Sequence, residues 1–154
     1  MKEVTGDLVN MLYWGEFDVG IHGCNCLHRM KSGIAKSMAE TFPGIVEADL
    51  YESIYGNYEK LGNFTSRAFS DPVRGDVTII NAYTQFTYSR TEVVADYDAI
   101  RKVFSRIKRI FGNKGLTFGI PKIGAGLAGG DWEIISKIIE EEMEGEDLTL
   151  AVLW

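Results

Sequence analysis

The sequence predicts an α/β protein with three layers, in which a mixed, mostly parallel sheet lies between helices on its two faces. Strand-like and helical segments alternate along the 154 residues, and two glycine-containing loops each join a predicted strand to a predicted helix. Hydrophobic residues make up 45% of the chain, which is enough for a substantial core. A chain of this length suits one domain, so we expect a single domain over residues 1–154.

The first half of the chain predicts four strands and two helices. A short strand candidate ends at Gly6-Asp7, and the alternating "FDVGIHG" is the second strand. Ser32-Gly33 precedes a helix that Pro43 ends, and a further helix follows directly. The predicted strands cover 3–9, 17–23, 62–69 and 76–83, and the predicted helices cover 34–42 and 44–58.

The second half predicts two helices and two strands around a glycine-rich loop. Apolar residues near positions i, i+3, i+4 and i+7 predict an amphipathic helix over 94–111. A buried strand over 116–121 stops at Pro121, and "KIGAGLAGG" follows as a loop. Asp131 is a candidate N-cap for a helix over 131–143. The last predicted strand, 147–154, ends in Trp154, which either covers the edge of a cleft or closes the core.

Composition limits the classes of function. The formal net charge of −6 argues against a non-specific nucleic-acid binder, which usually presents a basic face. It is compatible with a small anionic ligand, because backbone N–H groups at a helix N-terminus act at contact distance. No apolar run approaches the ~20 residues of a membrane span, and "MKEVTGDL" has no signal-peptide pattern. We therefore expect a cytoplasmic monomer with reduced thiols and no membrane partner.

The stretch "GIHGCNCLHRMKSGIAKSM" brings His22, Cys24, Cys26 and His28 close together in sequence. Paired zinc ligands are usually about two to four residues apart, whereas one residue separates each pair here, so we expect no metal. A redox pair would more naturally be Cys-x-x-Cys. A catalytic thiol would need one of the two histidines as its base, and the alternative is that Cys24 is a small buried filler.

Two loops in the sequence suit a ligand that contains a diphosphate and a ribose. Asn25 offers both a donor and an acceptor to a sugar hydroxyl. The small residues of "MKSGIA" open a helix where backbone can approach a phosphate, and "GAGLAGG" precedes another helix N-terminus. Ligands of such sheets lie beyond the carboxyl ends of the strands, where loops 23–33, 83–91 and 122–130 are expected.

Three motifs together resemble the macro domain family, which binds ADP-ribose: "GDL" near the start, "HGCNCLHRMKSGIAKSMAETFP" and "IPKIGAGLAGGDW". The chain is most similar in style to the small single-domain branch that includes the ADP-ribose 1″-phosphate phosphatases and the terminal ADP-ribose–protein glycohydrolase. The resemblance implies the three-layer α/β/α fold, no cofactor, and ADP-ribose or ADP-ribose 1″-phosphate as ligand. No extended nucleic acid is expected as a partner.

The resemblance also implies roles for individual residues. Asp7 would accept a hydrogen bond from the adenine amino group beside the backbone of Leu8, and Pro121 would lie near the adenine. Asn25 would contact the distal ribose. Alternatives are that Asp7 caps the next turn, and that Ile34 and Leu127 belong to the core. The residues implied around the distal ribose and the phosphates are Met30, Lys31, Ser32, Gly33, Ile34, Gly124, Ala125, Gly126, Leu127, Ala128 and Gly129.

The chain departs from the glycohydrolase branch, whose Lys nucleophile and assisting Asp align with Gln85 and Ala128. Neither residue can perform that chemistry, so we do not expect the covalent lysine route. Lys31 either restores a cation near the reacting end or faces solvent. Aromatic residues of the middle loop (Tyr83, Phe86 and Tyr88) either close over the ligand or fill the space beneath it.

Phosphatase-type members of the family carry a His where this chain has His22. The sequence therefore predicts a phosphatase that converts ADP-ribose 1″-phosphate to ADP-ribose and phosphate, with His22, Asn25 and Gln85 as catalytic candidates and Thr84 as a polar contact. Lys31 and Arg90 would neutralise the terminal phosphate. The alternative for His22 is a satisfied core histidine. The alternative functions are a binding module that does not react its ligand, or an ADP-ribosyl hydrolase without the Lys/Asp pair.

Overall fold

The computed structural model describes residues 1–89 and 91–153, and its centre is a six-stranded sheet. The strands, in chain order, are β1 (Lys2–Thr5), β2 (Val19–Cys24), β3 (Phe64–Asp71), β4 (Gly75–Tyr83), β5 (Thr117–Ile120) and β6 (Asp147–Val152). They lie in the order β1-β6-β5-β2-β4-β3. All neighbouring pairs are parallel except the edge pair β3–β4. The predicted mixed, mostly parallel sheet is confirmed.

In the described residues, five helices cover the two faces of the sheet. They are α1 (Leu8–Tyr13), α2 (Gly33–Thr41), α3 (Gly44–Tyr51), α4 (Tyr97–Phe111) and α5 (Trp132–Glu142), with one 3₁₀ turn at Tyr58–Lys60. One buried cluster joins α4 and α5 to β2, β4, β5 and β6. A second cluster joins α1, α2 and α3 to the opposite face. The three-layer α/β/α arrangement predicted from the sequence is therefore confirmed.

Close packing of α1 on the sheet requires a glycine in β2. A Cβ atom at Gly20 would lie 2.4 Å from Cδ1 of Leu12, a side chain of α1 that is fully buried. The contact therefore sets how near the first helix can approach the central strands.

The helix α1 was missed by the sequence interpretation, which placed a strand over 3–9. The strand ends at Thr5, and Oδ1 of Asp7 accepts hydrogen bonds from the N–H groups of Val9 (3.0 Å) and Asn10 (3.4 Å). Asp7 is thus the N-cap of a helix of six residues. So short a helix gives too few apolar positions for its period to be recognised.

Two predicted helix boundaries were also wrong. The helix predicted over 44–58 ends at Tyr51, and Gly56 takes a positive φ of 66° in the turns that follow. The helix predicted from residue 94 begins at Tyr97, capped by the side chain of Asp96. Ala95 is not helical because it pairs with Gln85 in an isolated β-bridge. In the part of the chain that the structure describes, no helix has the length and apolarity needed to cross a membrane.

Candidate functional site: a cationic cleft at the carboxyl ends of the strands

A cleft of about 650 Å³ lies where three loops leave β2, β4 and β5. This is the place that the topology predicts for a ligand, and the volume is in the range of small-molecule sites. Its described lining residues come from all three loops: Gly23, Cys24, Asn25, Arg29, Lys31, Ser32, Gly33, Ile34, Ala35, Gln85, Tyr88, Ser89, Pro121, Lys122, Ile123, Gly124, Gly126, Leu127 and Ala128.

The first loop, residues 25–32, is braced by the side chain of Asn25. Its Oδ1 accepts from the N–H of Leu27 at 2.9 Å and of Arg29 at 3.4 Å, and its Nδ2 donates to the Arg29 carbonyl at 2.8 Å. Asn25 is 8% exposed and lines the cleft. The residue predicted to contact a ribose therefore also fixes the loop beside the ligand space.

The N-terminus of α2 opens into the cleft without a side-chain cap. Ser32 is the N-cap residue, and its hydroxyl makes no capping hydrogen bond. Gly33 begins the helix with a φ of +59°, a conformation that residues with a Cβ atom rarely adopt. The first N–H groups of any helix lack partners within the helix, so this end is suited to an anion.

The glycine-rich loop presents a second set of backbone donors. The N–H groups of Ala125, Gly129 and Gly130 are used within the loop. Those of Gly126, Leu127 and Ala128 donate to no group in the described residues, and all three residues line the cleft. Consecutive N–H groups without acceptors are suited to an anion, and these three residues line the same cleft as the start of α2.

The charge of the cleft is opposite to that of the chain. Its ionisable lining includes the cations Arg29, Lys31 and Lys122, and no described lining residue is Asp, Glu or His. The whole chain has a net charge of −6. Positive charge is therefore concentrated at the site where backbone donors also converge, and the arrangement suits a ligand with phosphate groups.

His22 lies in the core beneath the cleft rather than in its lining. It is fully buried, and its Nε2 lies 2.7 Å from Oδ1 of Asn81. Burial lowers the pKa of His22 to about 4, so the imidazole is neutral at physiological pH. The geometry favours the interpretation of a satisfied core histidine. Cys24, whose Sγ lies beside the imidazole, lines the cleft, whereas His22 does not.

The two cysteines are free and buried. The Sγ atom of Cys24 lies 3.8 Å from Nδ1 of His22, and burial raises the pKa of this thiol well above its ordinary value. Burial also raises the pKa of Cys26 to about 11, and its Sγ donates to the Gln85 carbonyl at 3.5 Å. Neither thiol is ionised at neutral pH, so neither is an activated nucleophile.

The four residues of the opening motif do not converge on one point. His22 binds Asn81, whereas His28 lies 3.4 Å from the hydroxyl of Ser53 and packs edge-on against Tyr55. Within residues 1–89 and 91–153, no three His, Cys, Asp or Glu side chains are grouped so that they could hold a metal ion.

Most of the residues to which the resemblance gives a role in ligand binding lie in the lining of the cleft, and six do not. Gln85 and Ala128, which the resemblance aligns with the glycohydrolase Lys and Asp, both line the cleft. Leu127 is 53% exposed, so the alternative that it is a core residue is wrong. Ile34 lines the cleft and also packs against the core. The implied residues outside the lining are Asp7, Leu8, Met30, Thr84, Ala125 and Gly129.

Those outside the lining have structural contacts instead. Asp7 caps α1 and Leu8 is buried beneath it, so their predicted adenine contact stays a prediction. Thr84 is buried directly under Gly23: a Cβ atom there would lie 2.7 Å from its Oγ1. That Oγ1 has no hydrogen-bond partner within the described chain. The assignments to Arg90 and Trp154 lie outside the described residues.

Two cations of the lining were missed at the sequence level, Arg29 and Lys122. The available signal was their place in the two loops that were already predicted to hold phosphate. Of the three middle-loop aromatics, Tyr88 lines the cleft, whereas Tyr83 is fully buried and Phe86 stacks on Tyr58 with ring centroids 3.9 Å apart. Of the two alternatives, a position at the ligand space therefore fits Tyr88, and a packing role fits Tyr83 and Phe86.

Known structures share this fold. The macrodomain of Mycobacterium tuberculosis DarG superposes with a TM-score of 0.77 at 17% identity, covering 99% of this chain and 97% of that one. A Trypanosoma brucei macrodomain in complex with ADP-ribose has a TM-score of 0.67 at 13% identity, covering 99% of this chain and 63% of that one. The fold is that of a macrodomain.

A sequence relative places the chain more narrowly. It is 31% identical over 150 residues to the "uncharacterized 17.5 kDa protein in tk-vs intergenic region" of Enterobacteria phage T4, covering 91% of this chain and 88% of that protein. No family model matches the chain. The chain belongs to a family of small macrodomain proteins that includes this phage protein.

Proposed function

We propose that this protein binds ADP-ribose in the cationic cleft. The observation that carries the proposal is the convergence of the α2 N-terminus and the free N–H groups of Gly126, Leu127 and Ala128 on one cleft. Such a pair of backbone anion sites suits the two phosphates of a diphosphate. The ADP-ribose complex of the Trypanosoma brucei macrodomain, which has the same fold, supports the choice of ligand.

The remaining parts of the ligand are assigned by the resemblance and by the lining. Asn25 contacts the distal ribose, with Lys31 and Gln85 beside it, and Pro121 lies toward the adenine. We also propose that the protein is a single-domain monomer in the cytoplasm; its two free thiols support the location.

We propose as a second function the hydrolysis of ADP-ribose 1″-phosphate to ADP-ribose and phosphate. Water attacks phosphorus, the bond from phosphorus to the sugar oxygen breaks, and that oxygen takes a proton from the water. Phosphoryl transfer depends mainly on positioning and on charge stabilisation. The cations of the cleft favour this reaction, because they lie in a lining that has no described carboxylate to neutralise them.

His22 enters this reaction as a positioning residue rather than as a base. Its Nε2–H is donated to Asn81, and its low pKa makes the imidazole a weak base at neutral pH. Of the three catalytic candidates, Asn25 and Gln85 lie in the lining and can orient the phosphate and the attacking water. A pH–rate profile without an ionisation near 6.5 would support this assignment.

The experiment that tests both functions is phosphorus NMR of the protein mixed with ADP-ribose 1″-phosphate. Binding predicts that the two diphosphate resonances shift or broaden as protein is added. Hydrolysis predicts, in addition, that the monoester resonance disappears while inorganic phosphate grows at catalytic protein concentrations. If only the diphosphate resonances respond, the protein is a binding module or acts on another ADP-ribosyl substrate. If no resonance responds, the proposed ligand is wrong.

A comparison of the affinities for ADP-ribose and for two of its fragments is the control for the same experiment. AMP and ribose 5-phosphate each carry part of ADP-ribose, and neither can span both backbone anion sites. We expect each to bind at least about tenfold more weakly than ADP-ribose, because a missing phosphate leaves charged hydrogen bonds unformed. Equal affinity for AMP would show that the ligand does not use both sites.

A further inference from the structure

Arg29 and Tyr88 form a contact between two loops of the cleft. The Nη1 atom of Arg29 donates to Oη of Tyr88 at 3.0 Å, and the guanidinium carbon lies 4.7 Å from the centre of the Tyr88 ring. Arg29 belongs to the loop after β2, and Tyr88 to the loop after β4. Both residues line the cleft. The pair therefore holds a guanidinium at the ligand space by a hydrogen bond and by a cation–π contact.

The guanidinium has most of its donors available. An arginine has about five N–H donors, and one of those of Arg29 is used by Tyr88. Arg67, Arg74 and Arg101 form ion pairs, whereas Arg29 pairs with no carboxylate in the part of the chain that the structure describes. An unpaired, oriented guanidinium in a cleft is suited to a phosphate, which it can bind with two parallel hydrogen bonds.

The backbone of Arg29 is fixed as well as its side chain. Asn25 binds both its N–H and its carbonyl. The preceding residue, His28, has a φ of +52°, so the chain turns sharply immediately before Arg29. The residue thus lies directly beside the side chain proposed to contact the distal ribose, at the sugar end of the ligand.

We propose that Arg29, oriented by Tyr88, is a specificity-determining residue that selects ligands with an anionic group on the distal ribose over ligands that end in a hydroxyl. The inference rests on the proposed binding of ADP-ribose. It names the class of ligand as a nucleoside diphosphate sugar that carries a terminal phosphate monoester. Tyr88 acts through Arg29 as a positioning residue, because its hydroxyl limits the directions in which the guanidinium can point.

The test compares two ligands by isothermal titration calorimetry. One is ADP-ribose, and the other is a phosphonate analogue of ADP-ribose 1″-phosphate in which a methylene group replaces the ester oxygen, so that it cannot be hydrolysed. We expect the unmodified protein to bind the phosphonate at least about tenfold more tightly, as a charge-assisted contact implies. Arg29→Gln should abolish this preference, because it should weaken binding of the phosphonate at least about tenfold more than binding of ADP-ribose.

Two further variants separate specificity from folding. Tyr88→Phe keeps the ring and removes the hydroxyl, so the preference for the phosphonate should fall partway. Arg109→Gln removes an exposed arginine of α4 that does not line the cleft, and should leave the preference unchanged. If Arg29→Gln weakens both ligands equally, or if the unmodified protein does not distinguish them, the inference is wrong. If the unmodified protein binds neither ligand, the proposed function itself fails.

Discussion

The Nε2 atom of His22 lies 2.7 Å from Oδ1 of Asn81, and both residues are fully buried. Nδ2 of Asn81 donates to the carbonyl of Ile45 and to Oγ1 of Thr65, each at 3.0 Å. The Oδ1 of Asn81 must therefore accept, so the neutral imidazole carries its proton on Nε2. Nδ1 is left as an acceptor, and Sγ of Cys24 lies 3.8 Å from it and 3.7 Å from Nε2.

The same hydrogen-bonded chain continues through β3 and β4 to the helix α3. The hydroxyl groups of Thr65 and Tyr83 lie 2.7 Å apart, and Tyr83 donates to Oδ1 of Asp49 at 2.7 Å. Nζ of Lys60 donates to the same carboxylate oxygen at 3.0 Å. Each of these polar groups is buried and paired, so the network fixes the strands below the cleft in one arrangement.

We predict that His22 makes stability depend on pH. Its folded pKa of about 4 lies below the unfolded value of about 6.5, so only the unfolded chain binds a proton between these values. The contribution of the neutral His22 to the free energy of unfolding is complete above pH 6.5 and is lost as the pH falls toward 4. Between pH 7 and pH 5 the free energy of unfolding should fall by about 2 kcal/mol from this group alone.

Urea unfolding at pH 7 and pH 5 measures this contribution. The difference between the two pH values should be smaller in His22→Gln by that amount, because glutamine does not titrate. His28→Gln is the matched control, since His28 is largely outside the core and its pKa is lowered less strongly. An identical pH dependence in His22→Gln and the unmodified protein would contradict the prediction.

We predict that Lys60→Met is strongly destabilising. The side chains of Lys60 and Asp49 are each 3% exposed, so the substitution leaves a buried carboxylate without its partner. Removing one member of a buried pair costs about 3–5 kcal/mol. The measurement is the urea midpoint at pH 7. Lys2→Met is the control: Lys2 pairs with Asp147 at the surface, and its loss should cost less than about 1 kcal/mol.

The double variant Asp49→Asn/Lys60→Met separates charge from packing. It removes both charges, so we expect it to recover part of the stability lost in Lys60→Met. If the double variant is less stable than the single one by the full cost of Asp49→Asn, then the two residues do not interact, and the explanation by an uncompensated charge is wrong.

We predict that Asn25→Ala weakens ADP-ribose binding by about tenfold or more, because it removes one ligand contact and the brace of the first loop. Calorimetry gives the affinity, and amide hydrogen exchange of Leu27 and Arg29 gives the order of the loop. Asn57→Ala is the control: the Asn57 side chain caps the 3₁₀ turn through the N–H of Glu59 and lies outside the lining. Unchanged affinity would exclude the ribose contact.

We predict that Gly126→Val blocks the ligand without unfolding the protein. No atom lies within 4 Å of a Cβ placed at Gly126, and its φ is not positive, so the free energy of unfolding should change by less than about 1 kcal/mol. ADP-ribose affinity should fall by more than about tenfold, because the side chain would obstruct the free N–H groups.

Gly124→Val should show the opposite pattern at the same loop. Gly124 has a φ of +74°, and a Cβ there would lie 3.1 Å from Cδ1 of Ile135, so we expect a loss of stability. Circular dichroism melts and calorimetry on both variants check the pair of predictions. Tight ADP-ribose binding by a folded Gly126→Val protein would show that this loop does not hold the phosphates.

The sequence by itself determined the fold class and the position of the site. Long segments such as α4 and α5 can be recognised as helices from their own sequence, because the spacing of their apolar residues follows the helical period. The loops after β2 and β5 were predicted to border a ligand site, because glycines and small residues immediately before a helix suit phosphate binding, and both loops line the cleft.

Only the tertiary structure decided the roles of individual side chains. The period of α1 is too short to recognise, and its cap by Asp7 became visible only in three dimensions. Whether His22 faces a ligand or the core depends on Asn81, which is 59 residues away in sequence. The Arg29–Tyr88 contact likewise joins loops 59 residues apart. Burial and long-range pairing, which decide these roles, are properties of the packed chain and leave no local pattern in the sequence.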